Sequence, residues 1–371
     1  MIHAAQPRGA AAAACLAGVL ACLPAPAAQA QGNVTLYGLV DTALARMTNA
    51  DAQGNRVTKM PSLTGSLPSR VGLRGEEALG AGLSAVFALE AGFHVDDGMS
   101  SQGRRLFGRQ AWVGLKGTWG QLQVGRVMNM TYYAAVKSDV LGPNLFSINS
   151  MDLYLPNARS DNAVAYLGNF KGWTLGASYS FGRDASNAGG PAGTNCPGEV
   201  AGDAQACRQI TGLLGYEAKS FGLNTTFDRL HGGPGAANGL TTSASIDRRI
   251  TVNGYVLAGR TRLGAGWLAR RTEAPAGVVE SDLVYVGISH PLAQRLTLDA
   301  QVARKAVAAS PADTDLAVVR LTYAFSPRTA LYGAIGRMDN AGQAAIALDA
   351  GGTVTPGRAQ NGVMAGMRHA F

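Results

Sequence analysis

In Ser69-Arg-Val-Gly-Leu-Arg-Gly-Glu76 two arginines alternate with apolar residues. As a strand this segment puts Arg70, Gly72 and Arg74 on one face and Val71 and Leu73 on the other. Glu90 lies in a second alternating run. It shares parity with Ser84 and His94, against Leu83, Phe87 and Leu89. Fixed guanidinium groups with a carboxylate among them can attract, hold or repel ions; they break no bond by themselves. Residues for catalysis are not arranged for it. His94, His231, His290 and His369 show no HxxxH-type ligand spacing, and there is no G-x-S-x-G elbow or phosphate-binding glycine loop. Cys196 and Cys207 form no CxxC pair. We expect neither an enzyme nor a bound cofactor or metal.

The elements carrying these residues read as strands. Trp173-Thr-Leu-Gly-Ala-Ser-Tyr-Ser-Phe181 alternates large apolar with small residues, and similar runs recur around 83–95, 262–273, 295–305 and 314–325. Sixteen strands are expected, from 33–47 to 361–371, or eighteen if 340–360 hides a hairpin. Short connections such as 79–82, 117–120 and 171–172 take turns with long polar ones at 48–68, 96–105, 131–158, 184–207, 232–246, 274–281, 306–313 and 340–360. The chain ends in Asn361-Gly-Val-Met-Ala-Gly-Met-Arg-His-Ala-Phe371, an alternating strand running to a terminal aromatic. Termini normally fray, so this one must be held in a sheet. No run of about 18 apolar residues follows the first segment, which excludes helical spans. Alternation, uneven loops, aromatics at the short turns (Trp119, Trp173, Phe221) and the final Phe371 together describe an all-β, antiparallel transmembrane β-barrel. A soluble sandwich or repeat array is the alternative, with the apolar face as a packed core.

Residues 1–30 read as a cleaved secretory signal: Arg8, an apolar run from Ala10 to Leu23, then Ala28-Gln-Ala30. A lipoprotein signal ending at Cys22 is the alternative. The barrel is then 31–371. Of four cysteines, Cys15 and Cys22 leave with the signal, and Cys196 and Cys207 remain to form a disulfide across a surface loop. Lys and Arg outnumber Asp and Glu, 32 to 24, and the charges are scattered. No basic stripe for nucleic acid appears. A basic excess suits a conduit for anions better than one for cations.

Val34-Thr-Leu-Tyr-Gly-Leu-Val-Asp41, the segment from Ser69 to Glu76, Phe87-Ala-Leu-Glu90, Arg109-Gln-Ala-Trp-Val-Gly-Leu-Lys116, Gln123-Val-Gly-Arg126, Arg159-Ser-Asp-Asn-Ala-Val-Ala-Tyr166 and the final Gly366-Met-Arg-His-Ala-Phe371 occur in this order. Together they resemble the general trimeric porins of Gram-negative outer membranes, in the branch common in β-proteobacteria. The resemblance implies a sixteen-stranded barrel in the outer membrane, with periplasmic turns, extracellular loops and a third loop folded inward to narrow the pore. It implies a homotrimer surrounded by outer-membrane lipid and lipopolysaccharide, and assembly machinery that recognises Phe371. It implies passive diffusion of small hydrophilic solutes and ions.

Motif matching places Arg109 and Arg159 with Arg70 in a basic cluster at the constriction, and Glu90 beside it. Arg109 shares parity with Ala111, Val113 and Leu115, so it reaches the lumen only if the strand bends. The constriction loop is expected over 131–158, with Asp139 and Asp152 as its only carboxylates and the choice of which one faces the arginines open; Tyr132 and Tyr133 line the opening or pack on the wall. The family's Pro-Glu-Phe-Gly-Gly signature is absent from it. Few acids against several arginines predicts anion preference. Arg126 shares a face with Leu122 and Val124, which suggests a neighbouring subunit; Asp96 and Asp97 of the second loop could latch onto it. Two rival functions remain open: a channel specific for small organic anions such as dicarboxylates, and a loop-mediated adhesin or receptor.

Overall fold

A computed structural model describes residues 33–62, 64–185 and 193–371. The signal segment 1–30, with Cys15 and Cys22, lies outside the described residues. Sixteen long strands follow in chain order: β1 Asn33–Met47, β2 Arg70–Gly80, β3 Leu83–Gly92, β4 Gln110–Gly117, β5 Gly120–Met128, β6 Arg159–Phe170, β7 Trp173–Ser180, β8 Gln209–Glu217, β9 Phe221–His231, β10 Ile246–Ala258, β11 Thr261–Ala274, β12 Gly277–Pro291, β13 Leu296–Val307, β14 Thr314–Ala324, β15 Thr329–Asn340 and β16 Gln360–Ala370. Each pairs antiparallel with its sequence neighbour, and β1 pairs with β16 from Leu39↔Ala370 to Met47↔Gly362, which closes the barrel. A seventeenth short strand, Val57–Lys59 in the first long loop, pairs with the end of β1. The 340–360 segment holds no hairpin strand beyond the ends of β15 and β16.

Alternation decides which face is which. On β10, Asp247, Arg249, Thr251, Asn253 and Tyr255 are buried, while Arg248, Ile250, Val252 and Val256 are exposed. The exposed set is apolar over most of its length and forms a lipid-facing belt. Trp119, Trp173 and Phe221 stand exposed at the short-turn end, Trp119 stacked on Tyr166 and Trp173 tilted against Tyr216. One connection differs from expectation: 274–281 is no long loop. β11 runs to Ala274, β12 starts at Gly277, and those two residues pair. Pairing along this ribbon satisfies the backbone polar groups that a loop would leave to water.

The terminal Phe371 lies on the seam. Its N–H donates to the Gly38 carbonyl at 3.1 Å, and the Gly38 N–H donates to the Phe371 carbonyl at 3.0 Å. A Cβ on Gly38 would sit 2.2 Å from Phe371 Cζ, so only glycine admits the ring there. Gly38→Val should therefore lower the yield of folded barrel severalfold, read by the heat-dependent gel mobility of the refolded protein. Equal yields for the variant and the parent would show that the ring's seat is dispensable.

Candidate pore constriction

β2 and β3 pair with Gly72 opposite Glu90. The missing side chain leaves room for Tyr37 of β1, whose Cζ would lie 2.5 Å from a Cβ at position 72. The Tyr37 hydroxyl donates to Glu90 Oε2 at 3.0 Å. Arg109 Nε donates to Glu90 Oε1 at 2.6 Å, and Arg70 Nε stands 3.7 Å from Oε2. β4 begins only at Gln110, so Arg109 precedes the regular alternation that would have turned it toward lipid. Its own N–H donates to the Glu90 carbonyl at 3.0 Å. Charge-assisted bonds of this kind hold a carboxylate in one orientation.

Arg159 stands where the third long loop enters β6. It is buried, its Nη1 donates to the Pro156 carbonyl at 2.9 Å, and its Nε has no hydrogen-bond partner. Two residues on, the β5–β6 register shifts and Asn162 takes a φ of 46°. This bulge resets parity, so strand alternation says nothing about residue 159. Arg70, Glu90, Arg109 and Arg159 line one cavity of about 430 Å³ with Tyr132 and Tyr133 across from them. Three guanidinium groups there stand with two carboxylates, Glu90 and Asp139.

The third loop, 129–158, contains the short helix Met130–Ala135 and packs against the far wall. Leu141, Leu145, Phe146, Ile148, Met151 and Leu155 form one buried cluster with wall residues of β11–β16 such as Leu268, Leu283, Leu316 and Met338. Polar ties fix the same loop. Asp152 accepts from Arg249 Nε at 3.1 Å, and Arg249 also donates to Asp247 at 2.8 Å. The Arg249 guanidinium lies 4.2 Å over the Tyr154 ring. The Tyr154 hydroxyl donates to Asp228, which also accepts from Gln209 at 2.7 Å and Thr131 at 2.8 Å.

Asp152 is thus not a carboxylate facing the arginines: it anchors the loop to β10, on another wall. Asp139 lines the arginine cavity, but its Oδ1 accepts from Gln301 Nε2 at 2.9 Å and from the Leu141 N–H at 3.1 Å. Of the two loop acids, Asp139 is the one that reaches the arginine cavity. Burial pushes the Asp139 carboxyl up to about 6, against those hydrogen bonds and the pull of Arg320.

Arg74 also departs from expectation. It faces the lumen, 5.4 Å from the Tyr37 ring centroid, but does not line the cavity. It stands four positions from Arg70 along the strand, about 13 Å. Arg126 has its partner in its own chain. It pairs with Asp161 and donates to the Gly108 carbonyl at 2.8 Å, so its burial needs no neighbouring subunit. Asp96 accepts from Ser62 at 2.6 Å, and Asp97 lies 3.4 Å from His94 Nδ1. The structure joins Cys196 to Cys207 with Cα atoms 5.2 Å apart.

Sequence reasoning missed Tyr37, Asp247, Arg249 and Asp228. Strand parity held a signal for β10: Asp247 and Arg249 share a face with Thr251 and Asn253, opposite Ile250 and Val252. Nothing local marks Tyr37 as the third partner of Glu90, since it arrives from another strand.

Comparison with known proteins agrees with this geometry. A family model described as Gram-negative porin matches residues 10–343. The chain is 30% identical to outer membrane porin protein 32 of Delftia acidovorans over 369 residues, 93% of this chain and 96% of that one. It is 35% identical to an outer membrane porin protein of Bordetella pertussis over 230 residues, 58% of each chain. The anion-selective porin from Comamonas acidovorans superposes with a TM-score of 0.77 at 25% identity, covering 92% of this chain and all of that one. With a closed sixteen-stranded barrel, an inward loop and a charged constriction, the chain belongs to the Gram-negative porin family and is an outer-membrane porin, a channel rather than an enzyme.

Proposed function

We propose that this porin passes small hydrophilic solutes by passive diffusion and prefers anions. The observation that carries the reading is the imbalance at the constriction. Arg70, Arg109 and Arg159 outnumber the two carboxylates of their cavity, Glu90 and Asp139, while Asp152 is committed to Arg249. In a narrow water-filled passage such a surplus concentrates anions and repels cations. The likeness to a porin described as anion-selective supports it. The barrel assembles as a homotrimer after removal of residues 1–30, as one solved relative, OmpT of Vibrio cholerae, is described in a trimer form. The test is a bilayer recording in a salt gradient. A chloride-favouring reversal potential, with conductance in steps of three, is expected; a cation-favouring one overturns the reading.

Acid should sharpen the preference. Asp139 ionises only above about pH 6, so lowering the bath from about pH 7 to pH 5 removes one negative charge from the cavity. Its folded value is raised above the ordinary one of 3.8, so the docked loop binds the proton more tightly than the undocked one. Docking therefore strengthens as pH falls through 6 and is weakest above it. Asp139→Asn should make the reversal potential flat between those two pH values; a slope that survives the substitution would assign it elsewhere.

A further inference from the structure

Alternation on β1 turns Asp41 inward with Leu39, Ala43 and Ala45, against exposed Leu44 and Arg46, and Asp41 is buried. A buried carboxylate is stable only where other groups answer its charge. Here the first long loop does so. Oδ1 accepts from the Gly65 and Ser66 N–H groups, both at 3.1 Å, and from the Tyr332 hydroxyl of β15 at 2.6 Å. Oδ2 accepts from the Leu67 N–H at 3.1 Å and from the Ser66 hydroxyl at 2.6 Å. Successive backbone N–H groups around one anion make a concave nest, and this one closes on a carboxylate of its own chain. Thr64 and Pro68 bridge across the turn. A Cβ on residue 65 would overlap the Tyr332 hydroxyl, so only glycine lets the turn come this close. Arg368 stops short of Asp41 and donates to Ser66 Oγ at 3.2 Å.

Residues 64–68 thus fold into the lumen as a second inward element beside the third loop. The far side of the turn makes two contacts that matter to the constriction. The Gly65 carbonyl accepts from the Leu145 N–H of the third loop at 2.9 Å. The Pro68 carbonyl accepts from Arg70 Nη1 at 3.0 Å. Leu67 and Pro68 also line the arginine cavity, whereas Asp41 does not. Arg70 Nε stays 3.7 Å from Glu90 Oε2, beyond hydrogen-bond reach. The Pro68 carbonyl therefore decides where the Arg70 charge stands. Held off Glu90, the guanidinium keeps its field for the passage.

We propose that Asp41 is a positioning residue of the constriction. Its carboxylate gathers residues 65–67 into the inward turn, and the turn's two carbonyls set the Arg70 guanidinium and steady the third loop. Asp41 acts through Arg70 and touches no permeating ion. The effect on selectivity rests on the anion-preferring reading of the pore.

Asp41→Asn keeps the shape and removes the charge that the nest closes on. Arg70 should then leave the Pro68 carbonyl and close on Glu90. The anion-to-cation permeability ratio, read from the reversal potential of the refolded porin in a bilayer, should fall about threefold. A lumen carboxylate acting only through its charge would raise the ratio when removed, so the sign decides between the two roles. In an Arg70→Gln background the same substitution should raise the ratio, because no guanidinium is left to release. Amide hydrogen exchange should accelerate about tenfold at 64–68 and at 144–146 together, with the strands unchanged. Ser66→Ala removes one donor and leaves the charge. It should move both readouts in the same direction to a smaller extent, and it decides the question where Asp41→Asn does not refold. A raised ratio for Asp41→Asn alone, an equal fall without Arg70, or a third loop that exchanges as before overturns the proposal. A parent porin without anion preference overturns the reading of the pore instead, and the exchange of the two loops then decides the role of Asp41.

Discussion

Replacing Arg70 and Arg159 with glutamine should bring the reversal potential in a salt gradient close to zero. Three guanidinium groups and two carboxylates, Glu90 and Asp139, line the constriction cavity, and these two arginines are the ones not bonded to Glu90 within 3.5 Å. In a bath at about pH 5, where Asp139 is protonated, removing them leaves Arg109 and Glu90 as a balanced pair at 2.6 Å. A unit charge about 4 Å from a permeating ion in water is worth about 1 kcal/mol, roughly fivefold in local ion density. Loss of two should lower the anion-to-cation permeability ratio about tenfold or more. Arg109 is the wrong residue for this experiment. Its removal would strip a buried carboxylate of its main partner, and effects on folding would mix with effects on charge. If R70Q/R159Q keeps the parent's reversal potential, the preference arises outside this cavity.

The second large effect is expected at Asp152. Asp152→Ala takes from Arg249 the partner that ties the third loop to β10, and leaves a buried guanidinium with Asp247 alone. Breaking a buried pair from one side costs about 3–5 kcal/mol. The barrel strands do not depend on this bond, so the loss should be local. Amide hydrogen exchange within 129–158 should accelerate about hundredfold while the strands exchange as before. Open-channel current should become noisier, because the wall opposite the arginines is no longer fixed. Exchange unchanged in the loop would mean that its apolar packing alone holds it.

The strands were legible because alternation is a local signal that lipid outside and water inside both enforce. Closure through β1 and β16 was legible from Phe371. Arg70 and Glu90 could be assigned by parity, since both lie within regular strand. Arg109 and Arg159 could not: one precedes its strand and the other stands before a bulge, so only their motifs marked them. The fate of the loop acids was illegible for a different reason. Whether Asp152 turns toward Arg70 or Arg249 depends on where the loop's apolar residues dock, and the docking surface is assembled from strands β11 to β16, more than a hundred residues further along. The same distance hid Gln301 from Asp139. The ribbon at 274–281 was misread because its polar, exposed residues look like a loop whether or not they pair.

The inward loop divides the lumen unequally, with an apolar plug on one side and bare arginines on the other. Descendants of this sequence therefore meet two kinds of constraint inside a single tube. Changes among Leu141, Phe146, Ile148 and their counterparts on the wall are judged by whether the protein still folds. On the proposed reading of the pore, changes at Arg70 or Arg159 are judged by which solutes pass. A population facing a new food supply can vary the second set while the first stands still, so permeation can drift quickly within a shape that hardly changes.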